Sequence, residues 1–515
     1  MENKSYLKVA FSQDLTGKDR TIYRAFEMIP GFFAWVTLVG IFGVSYFIPV
    51  WASFFIILFD IYWLVKTIFL SFHLRANLKR MRAHMNTDWT ELLNRLKWEH
   101  LWHLVVLPMS KESYGVVRDS VLSIVNSDWP KDRMIVVLSY EARYREHGKD
   151  IVDKIRSEFS MQLPNLLITE HPTNMPGEIP GKGANESWAS REAKILIIDE
   201  KKIPYENIIV SSFDIDTRVL PQYFDIVAWH FLTAKNPQRT SFQPVPIYNN
   251  NIWEAPALSR VVATSGTFWQ MMQQERPERL TTFSSHSMSF KTILDLNYWQ
   301  KNMVSEDSRI FWNAFLYYNG DYESIPLSYP VYMDANVADT FLQTAKNVYK
   351  QQRRWAWGAE NFPYVAFGFS KTKKISMRTK LYYLFNMLEG YWSWSTNALM
   401  IFALGWLPVM IGGRKFNESV LAYNLPYVTR TIMTFAMVGL VTSAIISMKL
   451  LPPRPPRYPK RKTLSMILQW VLVPFTIIFF GSFPAIDAHT RLMLGKYMGF
   501  WITPKGRNPK SVSKT

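Results

Sequence analysis

An Asp-x-Asp pair, Asp214 and Asp216, ends an apolar, β-branched run that predicts a buried strand over residues 207–216. Because side chains alternate along a strand, both carboxylates are expected to point to the same side of it. Two carboxylates placed in this way suit Mg²⁺ or Mn²⁺ bridged to substrate phosphates. The tripeptide is also common in surface turns, so the preceding strand is what favours a metal site.

Lys182 lies in a loop rich in Gly and Pro, residues 176–183, which leads into a helix predicted over residues 185–199. Free backbone N–H groups at the start of a helix, together with a Lys, can hold a phosphate. The loop is not a P-loop, because Gly183 stands where that motif requires Ser or Thr. A kinase or ATPase is therefore not expected, and a flexible surface turn is the alternative interpretation.

Glu306 and Asp307 follow Ser305 at the start of a helix predicted over residues 306–318. Acidic side chains in a first helical turn complement the helix macrodipole, so capping alone explains their position. A carboxylate is also the kind of group that acts as a general base. Helix capping and catalysis therefore both remain open for this pair.

Gln351, Arg354 and Trp355 are spaced i, i+3 and i+4, so they share one face of a helix predicted over residues 345–356. On that face an Arg could bind a diphosphate and a Trp could stack on a sugar ring. The alternative is a juxtamembrane amphipathic helix, with Trp at the interface and basic residues at lipid headgroups.

These residues need a framework, which the chain between residues 101 and 364 supplies. Short β-branched runs at residues 101–108, 133–139 and 166–169 alternate with helical stretches. The alternation predicts an α/β layer with a largely parallel sheet. Ligands of such sheets collect at the carboxyl ends of the strands, which is where Asp214 and Asp216 are expected.

Membrane segments are indicated by uncharged runs, each long enough or nearly long enough to cross a bilayer. They cover residues 31–50, 52–70, 392–411, 431–448 and 464–483. Basic residues follow the second run and fill the Pro-rich loop before the last. The positive-inside rule therefore places the N-terminus, the soluble block and that loop in the cytoplasm. Since the tail is also basic, residues 464–494, broken at Pro474 and Pro484, are expected to enter the membrane and return.

Composition excludes several classes of protein and site. The chain has no Cys, which rules out disulfides, thiolate metal sites and Cys nucleophiles. Any metal must be held by oxygen or imidazole ligands. The formal net charge is +18, but much of it lies beside the membrane segments. It is therefore interpreted as facing phospholipid, and no nucleic-acid partner is expected.

In their order and separations, Asp214-Ile215-Asp216, Glu306-Asp307 and Gln351-Gln352-Arg353-Arg354-Trp355 resemble the motifs of family 2 glycosyltransferases. The likeness is to processive membrane-integrated synthases of the cellulose, chitin and hyaluronan type. It implies an α/β GT-A-type (Rossmann-like) cytoplasmic domain inserted between α-helical transmembrane segments. It also implies inverting, metal-dependent transfer from a nucleotide sugar, a UDP-sugar, to a β-linked polysaccharide that is translocated across the membrane.

By this resemblance, Asp307 is the general base and Asp216 binds Mg²⁺ or Mn²⁺. Gln351, Trp355 and Glu306 are assigned to the acceptor or glycan. The nucleotide and its diphosphate are assigned to Asp214, Lys182, Glu141, Glu112, Arg354, Thr503 and Lys505. Thr503 and Lys505 belong to a segment similar to the gating segment of the family. Glu141 stands in for the acid that usually contacts uridine, and this departure weakens the case for UDP.

The resemblance also divides the chain. Residues 1–30 are expected to be a cytoplasmic segment, 31–72 two transmembrane helices, 73–370 the transferase domain, 371–390 an interfacial helix, 391–495 a transmembrane region of three or more spans, and 496–515 a cytoplasmic tail. The expected location is the plasma or inner membrane.

The expected partners are a nucleotide sugar, a growing polysaccharide or lipid acceptor, membrane lipids and an export partner. The main alternative function is non-processive transfer of one sugar to a lipid carrier or glycolipid. A membrane receptor or scaffold with an inactive transferase-like domain is the third interpretation.

Overall fold

The computed structural model of the protein describes residues 4–504. Its centre is a mixed seven-stranded sheet with the strand order β3-β2-β1-β4-β6-β5-β7. The strands are β1 (Trp102–Met109), β2 (Met134–Glu141), β3 (Leu166–His171), β4 (Ile208–Ser212), β5 (Thr240–Ile247), β6 (Ser287–Ser289) and β7 (Glu323–Tyr332). Strands β1 to β4 are parallel, and β6 alone runs antiparallel to its neighbours β4 and β5.

Helices cover both faces of the sheet and also form a separate bundle. They are α1 (Gly17–Phe47), α2 (Pro49–Met85), α3 (Trp89–Leu93), α4 (Tyr114–Val125), α5 (Arg145–Phe159), α6 (Lys182–Ala193), α7 (Tyr223–Thr233), α8 (Ala257–Gln274), α9 (Phe290–Asp295), α10 (Glu306–Tyr317), α11 (Phe341–Ala356), α12 (Asn361–Lys371), α13 (Met377–Leu399), α14 (Leu407–Ile411), α15 (Gly413–Asn417), α16 (Val420–Leu450), α17 (Lys460–Leu468), α18 (Val473–Ile477) and α19 (Phe483–Met493).

The central strands are apolar along their whole length because both faces of the sheet are covered. In β1, Val105 and Leu107 pack into a core with α4, α5 and α7, whereas Leu104 and Val106 pack into a second core with α6 and α10. Full burial of such side chains contributes about 1.5–3 kcal/mol each. These two cores fix the strand ends and helix starts that carry the polar residues described below.

Two element boundaries differ from the sequence prediction. Strand β4 ends at Ser212, so Asp214 and Asp216 lie in the loop after it and not within the strand. Helix α6 begins at Lys182, three residues earlier than predicted, which makes Lys182 its first residue.

Within residues 4–504, four helices are long and apolar enough to cross a membrane: Gly17–Phe47, Pro49–Met85, Val420–Leu450 and Lys460–Met493. The last of these contains α17, α18 and α19, joined by a 3₁₀ turn and a π turn. The uncharged run over residues 392–411 is not one helix. It begins in α13, passes through a π turn at Met400–Leu404 and ends in α14.

The two ends of the segment Lys460–Met493 both contact the α/β domain. Near its start, Gln469 accepts a hydrogen bond of 2.6 Å from Arg260 on α8. Near its end, Asp487 pairs with Arg353 on α11 at 2.8 Å. By contrast, Gly412 after α14 packs against Pro49, the first residue of α2, at the far end of the bundle. The segment therefore begins and ends at the end of the bundle that contacts the α/β domain.

Candidate active site

Acidic residues collect where the parallel strands end. Glu112 follows β1, Glu141 is the last residue of β2, and Asp214 and Asp216 follow β4. Because these strands are parallel neighbours, their carboxyl ends share one edge of the sheet. This edge carries the cluster of charged side chains that we treat as the candidate active site.

Lys182 is the centre of the cluster. Its ammonium nitrogen lies 2.8 Å from Oδ1 of Asp307, 2.9 Å from Oδ1 of Asp214 and 3.4 Å from Oε1 of Glu186. The Lys182 side chain is 9% exposed, whereas Asp214 and Asp307 are 26% and 21% exposed. The Asp-x-Asp loop and the start of α10 therefore meet at a single buried cation, and both aspartates remain open to solvent on one side.

Local packing explains the position of Lys182. Asn185, one turn into α6, donates a 3.0 Å hydrogen bond to the carbonyl of Ser139 in β2 and so anchors the helix to the sheet. A Cβ at Gly183 would lie 3.0 Å from Cβ of Glu306, so glycine permits the close approach of α6 to α10. The Gly-rich sequence thus brings Lys182 next to Asp307.

Two further carboxyls of the cluster, Glu186 and Glu306, are fully buried. Burial, which outweighs the attraction of Lys182, raises the pKa of Glu186 to about 8. Burial and the neighbouring Asp307 raise the pKa of Glu306 well above its ordinary value. Burial therefore favours the neutral form of both carboxyls, whereas Asp214 and Asp307 are partly exposed.

The site raises the pKa of Lys182 but lowers that of the neighbouring His286. Burial alone would lower the pKa of Lys182, but Asp214 and Asp307 raise it well above its ordinary value, so Lys182 stays charged. Burial lowers the pKa of His286 to about 4, although Asp307 acts against this. The neutral His286 donates from Nδ1 to the carbonyl of Phe283 at 2.9 Å, and its 3.9 Å separation from Asp307 is not an ion pair.

Asp216 occupies a different environment from Asp214. It is fully buried, and its Oδ2 accepts a hydrogen bond of 2.8 Å from the backbone N–H of Asp334. Burial raises the pKa of Tyr248; the charges of Asp214 and Asp216 add to this effect, and Arg354 acts against it. The expectation based on strand alternation fails here: β4 ends before the pair, and the two carboxylates have different partners.

Asp214 and Asp216 are the residues expected to bind Mg²⁺ or Mn²⁺. Within residues 4–504, no group of three or more His, Asp or Glu side chains is placed to hold a metal ion by itself. Mg²⁺ is commonly bound through one or two carboxylates together with substrate phosphates. Asp214 and Asp216 are hard oxygen donors of that kind. The residues therefore fit an ion that arrives with a phosphate-bearing substrate, not one held in a cage of protein ligands.

Asp307 is held from both sides of its turn. Thr282 donates a 2.5 Å hydrogen bond to its backbone carbonyl. Glu360 accepts hydrogen bonds from the backbone N–H groups of Val304, at 3.2 Å, and Ser305, at 2.8 Å, and its second oxygen accepts from Trp357. Glu360 is fully buried. The start of α10 is thus fixed by a buried carboxylate that lies just beyond α11.

Helix α11 faces the same region through Arg354 and Trp355. The ring of Trp355 lies 6.3 Å from that of Tyr248, and the Arg354 guanidinium lies 5.0 Å from the ring of Phe500. Phe500 also packs against Gly181, beside Lys182. Phe500 therefore contacts both the Lys182 loop and the Arg354 side chain. Gln351, on the same helix, is buried.

The C-terminal segment that carries Phe500 is anchored by the N-terminal region. Tyr497 donates to Glu27 at 2.9 Å, and its hydroxyl lies 2.8 Å from that of Ser12. Phe11 stacks on the Tyr497 ring with centroids 4.2 Å apart. Further along, Thr503 is buried. Lys505, also predicted to contact the diphosphate, lies outside the described residues.

Glu112 and Glu141 share the sheet edge, but their carboxylates bind local groups. Glu112 accepts from the backbone N–H of Ser110 at 2.6 Å, and Glu141 pairs with Arg143 at 2.5 Å. Their assignment to the nucleotide stays a prediction.

Sequence reasoning did not single out Glu186, Glu360, Tyr248 or Asp334. Glu186 had a usable signal, because it stands four residues after Lys182 on the same helix. For Glu360, Tyr248 and the Asp334 backbone no local pattern exists, since each reaches the site through the tertiary fold.

No protein-family model matches the chain, and no curated protein matches it. Among solved structures, the chain is similar to a mannosyltransferase from Pyrobaculum calidifontis in complex with GDP-Man and Mn²⁺, with 13% identity and a TM-score of 0.39 over 76% of this chain and 99% of that one. It is also similar to residues 1–349 of TarS from S. aureus in complex with UDP-GlcNAc, with 12% identity and a TM-score of 0.36 over 68% of this chain and 91% of that one.

Proposed function

We propose that the protein is a membrane-embedded, inverting glycosyltransferase of the family 2 type. In this proposal it uses a nucleotide sugar, a UDP-sugar, and Mg²⁺ or Mn²⁺ to extend a β-linked polysaccharide, which leaves through the helix bundle. The observation that supports the proposal is that the Lys182 ammonium lies within 2.9 Å of a carboxylate oxygen of both Asp214 and Asp307. Three separate sequence motifs thus share one solvent-accessible site.

Asp307 suits the role of general base. Its carboxylate is partly exposed and is fixed through its backbone by Thr282. The acceptor hydroxyl must lose a proton as its oxygen attacks the anomeric carbon and the nucleoside diphosphate departs. A positioned carboxylate contributes about 10²–10⁴-fold to such a step. Asp307 would take that proton, and His286, neutral and bonded to Phe283, would not compete for it.

Lys182 and Arg354 suit the leaving diphosphate. The Lys182 ammonium contacts Asp307 and Asp214. An incoming diphosphate competes for that ammonium and so frees the Asp307 oxygen for the acceptor. When bound, a divalent ion would supply further positive charge for the diphosphate, with Asp214 and Asp216 as its protein ligands. Phe500, in contact with Arg354 and Gly181, would exclude water from this side of the site.

The membrane arrangement supports secretion of a polymer. We place the α/β domain in the cytoplasm, because the basic loops contact it, and we let α1, α2, the chain from α13 to α14, and α16 cross the bilayer. Residues 460–493 would then form the returning segment, since both of its ends contact the α/β domain. This arrangement returns the basic tail to the cytoplasm, as the positive-inside rule requires.

Trp355 and Gln351 favour a processive synthase, because a ring beside Tyr248 offers a flat surface to a sugar at the acceptor side of the site. The alternative is transfer of one sugar to a lipid carrier or glycolipid, which the same catalytic residues would serve.

The test is nucleoside diphosphate release by the purified protein with Mn²⁺ or Mg²⁺ over a panel of nucleotide sugars, followed by sizing of the product. Asp307→Asn should keep nucleotide binding and lose about 10²–10⁴-fold in turnover. Asp321→Asn, an exposed acid of the same domain, is the matched control and should remain active. A long polymer supports the synthase and a single-sugar product the alternative. Undiminished turnover of Asp307→Asn would remove its role as base.

A further inference from the structure

A groove of about 500 Å³ opens between α1, α11 and α19, away from the Lys182 cluster. Its lining includes Trp35 from α1, Asp487, Thr490 and Arg491 from α19, and Lys496 from the segment that follows. The groove has two chemically different sides, and neither takes part in the proposed transfer reaction.

One side is cationic. Asp487 is shared between Arg491, at 2.6 Å, and Arg353 of α11, at 2.8 Å. Lys496 also lines the groove. The groove region therefore holds three basic side chains and one carboxylate, an excess of two positive charges.

The other side is apolar. Trp35, Phe483 and Leu494 are 40%, 38% and 56% exposed. Trp35 is oriented across the groove by a 2.8 Å hydrogen bond from its indole N–H to Thr490. These exposed apolar side chains belong to a candidate membrane span or to its end, so the bilayer is their expected surrounding.

The charge distribution along α1 indicates the depth of the groove in the bilayer. This helix carries charges up to Glu27 and none from residue 31 to residue 47. Arg24, on the charged part, binds the carbonyls of Leu492 and Met493 at the end of α19. Trp35 lies 11 residues beyond Arg24, about three turns deeper, in the uncharged part. The end of α19, with Arg491 and Lys496, therefore lies at the level of the headgroups, whereas Trp35 and Phe483 lie towards the acyl chains.

We propose that this groove is a binding site for an anionic phospholipid. Arg491 and Lys496 would bind its phosphate, and Trp35 and Phe483 would contact its acyl chains. Phosphate forms charge-assisted hydrogen bonds with Arg and Lys, and the net charge of the groove selects an anionic over a zwitterionic headgroup. The apolar wall distinguishes a lipid from soluble phosphate, which would gain nothing from it.

The site is separate from the proposed transfer reaction but not remote from it. Arg353, which pairs with Asp487 at the groove, is adjacent in sequence to Arg354, which contacts Phe500 on the other side. Binding of the lipid does not depend on the proposed function, so its test needs no substrate.

The test is lipid retention by the full-length protein. The protein is reconstituted with equal amounts of phosphatidylglycerol and phosphatidylcholine, re-extracted in mild detergent, and analysed by native mass spectrometry for bound lipid. Wild-type protein is expected to retain about ten times as much phosphatidylglycerol as phosphatidylcholine. The double variant Arg491→Gln/Lys496→Gln should lose this preference. Arg414→Gln/Lys415→Gln, an equal change of charge on the exposed α15, should keep it.

Two outcomes would overturn the proposal. The first is a groove variant that retains phosphatidylglycerol like the wild type. The second is displacement of the lipid by inorganic phosphate at an equal concentration, which would make this a site for soluble anions. Arg491→Lys is the control for misfolding. Because it conserves the charge, it should still retain phosphatidylglycerol if the wild-type preference comes from this groove.

Discussion

Replacement of Lys182 by Met removes a buried cation that contacts both Asp214 and Asp307. Loss of one partner of a buried ion pair costs about 3–5 kcal/mol, because the remaining charge stays uncompensated. Asp214 and Asp307 are 26% and 21% exposed, so water relieves part of that cost. We therefore expect the lower end of this range, about 3 kcal/mol in the free energy of unfolding.

The matched control is Lys194→Met, at the end of the same helical segment. Lys194 pairs with Asp199 at 2.7 Å, but these side chains are 26% and 39% exposed. Exposed ion pairs contribute about 0.2–1 kcal/mol. The entropy of unfolding scales with chain length, here 515 residues, so each kcal/mol shifts the melting temperature by about 1 °C. Thermal melting of the purified protein in detergent, followed by Trp fluorescence, should show a fall of about 3 °C for Lys182→Met and of about 1 °C or less for the control.

The double variant Lys182→Met/Asp307→Asn should recover part of the loss, because it also removes one of the uncompensated carboxylates. Additivity of the two substitutions would mean that the residues do not interact energetically. Equal melting temperatures for Lys182→Met and Lys194→Met, or no recovery in the double variant, would refute the view that Lys182 neutralises this cluster.

Three further predictions concern charge and topology. The raised pKa of Glu186, about 8 against an ordinary 4.5, means that its stabilising contribution is present below pH 4.5 and is lost as the pH rises through 8. Glu186→Gln should therefore raise the melting temperature relative to wild type more at pH 9 than at pH 5; an equal shift at both would contradict the assignment. EDTA should weaken UDP binding measured by calorimetry but leave uridine binding unchanged, since only the diphosphate needs the cation; unchanged UDP binding would contradict a metal-bridged site. Because the chain has no Cys, single variants Lys415→Cys and Arg461→Cys report sidedness directly: an impermeant maleimide should label the first in intact cells and the second only after permeabilisation, and the reverse order would invert the topology.

Much of the framework follows from periodicity. The strands at residues 101–108 and 133–139 and the helix at residues 306–318 were predicted to within a few residues, because apolar runs and capping signals are local. The end of β4 was misplaced because Phe213 and Ile215 prolong the apolar pattern beyond Ser212. Both side chains are buried in the core, so hydrophobicity alone does not separate strand from loop there.

The contacts of the site could not be predicted in the same way. The bond from Lys182 to Asp307 joins residues 125 positions apart, and the bond from Asp334 to Asp216 joins residues 118 apart. No local sequence pattern predicts a contact between residues so far apart in the chain. Motif order indicated which residue types belong to one reaction, but only the packing of α6 against α10 places them within hydrogen-bond reach.

The charge states of the cluster connect its stability with its chemistry. Burial favours the neutral form of Glu186 and Glu306, so the charges next to Lys182 are those of Asp214 and Asp307, two carboxylates against one ammonium. An anionic donor entering alone would increase that imbalance, whereas a donor that carries a divalent cation corrects it. In the proposed mechanism, the diphosphate would draw Lys182 away from Asp307, which would then be free to accept a proton. The contact between Lys182 and Asp307 would thus both stabilise the site and make the proposed base available only when a diphosphate competes for the lysine.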